Sequence, residues 1–146
     1  KKLWEFRDNL VEAYKIEGDY ITNDISVPLN KMSDFIEKTS KEIQEFIPGT
    51  RIYSFGHLGD GNIHFNMIEP INFKLNFNAY RDEIYQIVND SVYKFGGSFS
   101  AEHGIGQIKK ESLKKYKDSK ELEMMKKIKL LFDSKNILNP GKIFDL

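Results

Sequence analysis

Apolar residues recur at helical spacing in four stretches of the chain, and four shorter runs between them read as strands. Leu3, Phe6, Leu10 and Tyr14 predict an amphipathic helix over 2–16 that ends before Gly18. Tyr20–Val27 predicts a strand stopped by Pro28, which also suits the first turn of the next helix. Leu29, Met32, Phe35, Ile36, Ile43 and Ile47 carry that helix to about residue 46, where Pro48-Gly49 ends it. Strands are predicted near 51–58 and 62–69, then a helix over 77–95 marked by Tyr80, Ile84, Ile87, Val88 and Val92. A short strand near 97–101 runs into a glycine-rich island, and a last helix near 119–133 starts at the capping pair Asp118 and Glu121. That last helix is expected to bury Leu122, Met125, Ile128, Leu131 and Phe132.

The order β-α-β-β-α-β predicts an α+β fold, a ferredoxin-like antiparallel sheet with extra helices at both ends. Its 146 residues suffice for one domain with its own core, and residues 1–146 show no repeat, low-complexity tract or linker. The terminal helices are expected to pack on something outside that domain. The chain starts on Lys1 and runs straight into a helix, so it reads as a piece of a longer protein.

Composition removes several function classes. Twenty-two basic residues balance twenty-two acidic ones, so no basic excess or stripe is expected and nucleic acid is not an expected partner. The absence of cysteine excludes a disulfide scaffold, thiol catalysis and a thiolate metal site. No apolar run approaches the ~18 residues of a membrane span, and the opening lacks a signal-peptide core. A cytoplasmic protein is expected, with peripheral attachment to a membrane an open alternative.

The three histidines, His57, His64 and His103, all fall in two glycine-rich islands, 56–64 and 101–106. Asp60-Gly61 between two strand-like runs is a hairpin signal. With those two as the central turn residues, 57 faces 64 and 55 faces 66, which puts His57, His64 and Asn66 on one face. Directly opposed Cβ atoms would lie roughly 4.5–5.5 Å apart. Two such imidazoles can share a divalent cation, and Glu102 is the carboxylate that could complete the set if its island folds back onto the hairpin. A buried hydrogen-bonded histidine pair and a chance arrangement are the other readings. Asp60 and Asn62 are expected to be turn residues. Gly104-Ile105-Gly106 lacks the third glycine of the dinucleotide fingerprint. Glu102 and His103 are neighbours, so both can serve one site only if the chain kinks there. Arg7, four residues after Leu3, lies inside the apolar stripe of its helix; it either snorkels at the edge or reaches an anion.

Gly56-His57-Leu58-Gly59-Asp60-Gly61-Asn62-Ile63-His64, then Ala101-Glu102-His103-Gly104-Ile105-Gly106 with Lys109, then Leu138-Asn139-Pro140-Gly141-Lys142 resemble the C-terminal domain of FAD-linked oxidases. D-lactate dehydrogenase, the FAD subunit of glycolate oxidase and D-2-hydroxyglutarate dehydrogenase belong to that family. Trp4-Glu5-Phe6-Arg7 and Asp24-Ile25-Ser26-Val27-Pro28 extend the resemblance over almost the whole chain. It implies the substrate-side domain of a flavoenzyme that oxidises a D-2-hydroxy acid, with FAD held mainly by an N-terminal domain that this chain would cover. It implies that His57, His64 and Glu102 hold a divalent cation, zinc first, with manganese or iron as alternatives. It gives Arg7 the substrate carboxylate, Asn66 and His103 the substrate site, and His103 the role of general base. Asn139 lies in the stretch that returns toward the flavin.

In the members specific for 2-hydroxyglutarate, a lysine stands where this chain has Thr22, which favours glycolate or D-lactate here. The rival expectations are a stand-alone metal-dependent hydrolase or isomerase on the same residues, and a metal-independent ferredoxin-like binding module. The electron acceptor is not legible. The surface left for the flavin domain is expected to be apolar and to allow self-association.

Overall fold

The structure, a computed structural model, describes residues 2–146, apart from the side chains of Lys2, Arg7, Asp8 and Val11. The chain divides into two compact units, Lys1–Glu102 and His103–Leu146.

The first unit is built on a three-stranded antiparallel sheet of β1 (Tyr20–Ser26), β2 (Arg51–His57) and β3 (Asn62–Ile68), in the order β1-β3-β2. Helix α1 (Lys2–Lys15) precedes β1, α2 (Met32–Phe46) joins β1 to β2, and α3 (Arg81–Phe95) follows β3. The three helices and the first three strands expected here therefore form within a few residues of their expected limits, and the architecture is α+β.

Strand parity sorts the two faces of the sheet. Ile21, Ile25, Ile63, Phe65 and Met67 point to one side, where α2 lays Phe35 and Ile43 and α3 lays Ile84, Val88 and Val92, all essentially without solvent exposure. The rings of Phe35 and Phe65 meet edge to face with centroids 5.7 Å apart. Between the two helices, Thr39 and Ser91 share a buried hydroxyl hydrogen bond of 2.6 Å, which satisfies both polar groups inside the layer.

The opposite face is largely polar and aromatic, and beyond the Tyr20, Ile68 and Arg51 rung at one end it has three more. Thr22, Asn66 and Tyr53 form one, Asp24, His64 and Phe55 the next, and Ser26, Asn62 and His57 the third. Tyr14, near the end of α1, stacks edge to face on Tyr20 at 5.1 Å and approaches Phe55 at 6.2 Å. The rest of α1 presents Leu3, Trp4 and Phe6 to solvent.

The hairpin register differs from the predicted one. His57 pairs with Asn62, and His64 pairs with Phe55. The turn uses four residues, a 3₁₀ turn over Leu58–Asp60 closed by Gly61 at φ 77°, in place of the two-residue turn that Asp60-Gly61 suggested. Asp60 acts as a turn residue, its Oδ1 accepting from the Asn62 amide at 3.2 Å. Gly61 is required there twice over, because its φ is positive and a Cβ would fall 2.3 Å from the Val27 carbonyl oxygen. The shift amounts to two residues, so the histidines stay on one face as diagonal neighbours.

The predicted fourth strand shrinks to a single antiparallel bridge, Ser98 to Ser26 on the β1 edge. Ser98 Oγ donates to the Ser100 carbonyl at 2.9 Å and accepts from the Ser100 amide, which turns the chain away from the sheet after one pair.

In the second unit, α4 (Lys110–Tyr116), which the apolar spacing did not predict, precedes α5 (Ser119–Phe132). Asp118 caps α5 as expected, accepting from the amides of Lys120 and Glu121. The expected burial along α5 is not found. Leu122 and Met125 are half-buried, but Ile128, Leu131 and Phe132 remain 57%, 79% and 80% exposed. No apolar layer of the unit covers these three side chains.

The even charge of the whole chain conceals a local excess, since residues 103–146 hold eleven lysines against six carboxylates. Four of those carboxylates are paired with lysines, as in Lys117–Glu121, Lys127–Glu123 and Lys110–Asp145. The pairing marks a solvated face.

Asp133 orders the turn after α5, accepting from the amides of Ile137 and Leu138, each at 2.9 Å. The hydrogen bond from Lys129, with those two amides behind it and burial opposing, holds its carboxyl down to about 2 from 3.8. A depressed carboxyl stabilises the fold fully above its unfolded value and loses that contribution as pH falls toward its folded value. The Ile137 and Leu138 amide resonances are thus expected to stay unchanged from pH 7 to about 4 and to move with a midpoint near pH 2. A midpoint near 3.8 would show that the carboxyl is not held.

Candidate functional site

The polar face of the first unit gathers the side chains that can do chemistry. Parity alone sets His57 and His64 on this face, and their ring centroids are 6.1 Å apart. Glu102, 38 residues after His64, closes the group. Its Oε1 lies 3.3 Å from His57 Nε2 and its Oε2 lies 4.0 Å from His64 Nε2. One ligand atom from each of the three falls within 4.8 Å of the others. Donors bound to one tetrahedral zinc are separated by about 3.4 Å, given bonds near 2.1 Å. His57 and Glu102 already stand at that spacing. Both are more than two-fifths exposed, so small rotamer changes can bring the third edge in. Two imidazoles and a carboxylate with further positions open are the donor set of a catalytic rather than a structural centre.

Asp24, in the middle of β1 and only 5% exposed, lies behind this group. Its Oδ2 accepts from the Glu102 backbone N–H at 2.8 Å, and its Oδ1 accepts from Asn62 Nδ2 at 3.1 Å. Oδ1 also stands 3.8 Å from His64 Nδ1. Asp24 was not among the expected site residues, although a signal was present. Thr22, Asp24 and Ser26 repeat at a period of two between apolar Ile21 and Ile25, which marks a polar strand face.

Asn66 shares the face, one rung beyond His64, where it is 1% exposed and donates through Nδ2 to the His64 carbonyl at 3.1 Å. Arg7 lies on α1, and its side chain is outside the described residues. His103 opens the second unit, and Asn139 lies exposed near that unit's end with φ 48°, a left-handed conformation asparagine tolerates. The second unit holds a cleft of about 190 Å³ lined by Lys110, Leu113, Lys114, Leu122, Lys126 and Phe144. That is below the roughly 300–1,000 Å³ of ordinary cofactor pockets, too small to enclose a flavin dinucleotide. Among the described residues, no helix is long and apolar enough to cross a membrane.

Residues 1–143 match the family described as FAD linked oxidases, C-terminal domain. The chain is 35% identical over 145 residues to a D-2-hydroxyglutarate dehydrogenase of Xanthomonas citri pv. viticola, covering 99% of this chain and 30% of that protein. It is 37% identical to the D-2-hydroxyglutarate dehydrogenase of Stutzerimonas stutzeri, with 99% and 31% covered. It is also 37% identical to a D-lactate dehydrogenase of Anaerostipes hadrus, with 98% and 30% covered. The chain spans about three-tenths of the length of these curated relatives.

Proposed function

This chain belongs to the FAD-linked oxidases as their C-terminal domain, and from that premise we propose that it forms the substrate side of a flavoprotein that oxidises a small D-2-hydroxy acid. The observation that carries the proposal is the convergence of His57, His64 and Glu102 on one face of the sheet. FAD, held mainly by a separate domain, would supply the two-electron acceptor, and a divalent cation at the three-residue cluster would supply a Lewis acid for the 2-hydroxyl. The cation is zinc by donor type, with manganese or iron also compatible with two imidazoles and a carboxylate.

The chain's own residues divide the remaining work. Arg7 pairs with the substrate carboxylate through two parallel N–H donors and fixes its orientation. Asn66 borders the cluster and contributes to the pocket floor. An imidazole nitrogen of His103 takes the hydroxyl proton. Asn139 makes a contact at the flavin.

A monocarboxylate, D-lactate or glycolate, fits the polar face better than a dicarboxylate. Thr22 offers no charge next to Asn66. The cation on the same face of β2, Arg51, is already committed to the Glu17 side chain and carbonyl, both at 2.7 Å, and to the Glu69 carbonyl.

The test is flavin reduction by D-lactate, glycolate and D-2-hydroxyglutarate in the flavoprotein that carries this chain, with and without His103→Ala. Reduction by one of these acids is expected, and His103→Ala is expected to lower its rate by about 10²–10⁴-fold while flavin and metal content stay constant. No reduction by any of the three would overturn the reading. An unchanged rate in the variant would remove the role of His103.

A further inference from the structure

We propose that Asp24 is the positioning residue of the cluster, holding Glu102 and His64 in register with each other. The proposal rests on the metal-binding reading of His57, His64 and Glu102 and adds a residue to it. Asp24 is buried, a costly place for a carboxyl unless its oxygens are used. One oxygen is used on the Glu102 backbone N–H, 78 residues away in sequence, and the other on the Asn62 amide. Each oxygen thus already accepts a hydrogen bond from a protein donor.

Its placement does two things. Among the hydrogen bonds described, the Asp24–Glu102 bond ties Glu102 to β1 beside the cluster, two residues after the Ser98 and Ser100 turn leaves the sheet. It therefore sets where the Glu102 carboxylate begins. Asp24 also faces Nδ1 of His64, while Nε2 of the same ring faces Glu102. A carboxylate on the Nδ1 side favours the tautomer that keeps Nε2 unprotonated, the form that can donate a lone pair to a cation. Asn62 acts in turn on Asp24, holding Oδ1 in place from the adjacent rung.

The experiment compares the full chain with Asp24→Asn and Asn62→Ala by calorimetric titration with Zn²⁺, and by nitrogen-15 spectra of the His64 ring and the Glu102 amide without metal. Asparagine offers one acceptor where the geometry uses two. Asp24→Asn is thus expected to weaken Zn²⁺ binding about 10–100-fold, the usual cost of an outer-shell partner, with the circular dichroism unchanged. The His64 ring nitrogens and the Glu102 amide are expected to shift in the same variant. Equal Zn²⁺ affinity in Asp24→Asn and the parent chain would overturn the proposal. Failure of the parent chain to bind Zn²⁺ would instead overturn the metal reading. The metal-free spectra would then decide Asp24 alone, because unchanged His64 and Glu102 signals would overturn its positioning role too. Should Asp24→Asn fail to fold, Asn62→Ala is read by the same measurements, with a smaller loss of affinity expected and equal affinity counting against the proposal.

Discussion

Changing His64 to alanine is expected to abolish retention of a divalent cation while leaving the fold intact. His64 lies at the centre of the cluster, on the middle strand, with Asp24 on one side and Phe55 on the other. Its Nε2 is one of three candidate donors within 4.8 Å of one another. Removing a ligand must cost more than the ~10–100-fold that follows loss of an outer-shell partner. Affinity should therefore fall by more than about 100-fold, and metal content after dialysis should drop from about one equivalent to none. The folding cost should be small, since the ring lies on the polar face, outside the helix-packed core. Elemental analysis and thermal unfolding of the parent chain, His57→Ala, His64→Ala and Glu102→Gln would check this. Equal metal in parent and variants would show that the cation binds elsewhere. Absence of metal from the parent would favour the metal-independent reading, in which the His57–Glu102 contact at 3.3 Å is simply a polar contact.

Phe65→Ala is expected to be the most destabilising of the single changes considered, by about 3–5 kcal/mol, the range for removing a buried phenylalanine. Phe65 occupies the middle of β3, has no exposed surface and stacks edge to face on Phe35 of α2. Its cross-strand partners on the helix side are Asn23 and Ser54. Asn23 Nδ2 and Ser54 Oγ are buried without a hydrogen-bond partner. A cavity opened beside two such groups can take up water that bonds to them, which puts the expected loss toward the lower end of the range. Phe65→Leu, which keeps most of the volume, should cost less than half as much as the alanine change. Denaturant unfolding of the three chains checks both values. A loss below about 1 kcal/mol for Phe65→Ala would mean that the helix layer does not depend on this ring.

Much of this organisation is legible in the sequence because it is local. Ile21 and Ile25 against Thr22, Asp24 and Ser26 define the two faces of β1 without reference to any other strand. The same parity puts His57 and His64 on one face whether the hairpin turn has two residues or four, since the registers differ by two. Asp118 caps α5 through its own next turn. The burial of α5 was not legible, because Ile128, Leu131 and Phe132 repeat at core spacing whether or not a neighbouring layer covers them. The expected fourth strand failed for a local reason of another kind: the Ser98 hydroxyl bonds to both the amide and the carbonyl of Ser100 and competes with the ladder.

The sequence by itself determined the four long helices and the first three strands, which strand face is polar, and that two histidines share that face. Periodicity and turn chemistry act over a few residues and need no partner to be expressed. The tertiary structure alone decided the hairpin register, where Gly61 must pass against the Val27 carbonyl. It alone brought Glu102 to the histidines through the buried carboxylate of Asp24, 78 residues earlier in the chain. Contacts at that separation depend on how whole elements pack, and no spacing in the sequence encodes the distance between their ends.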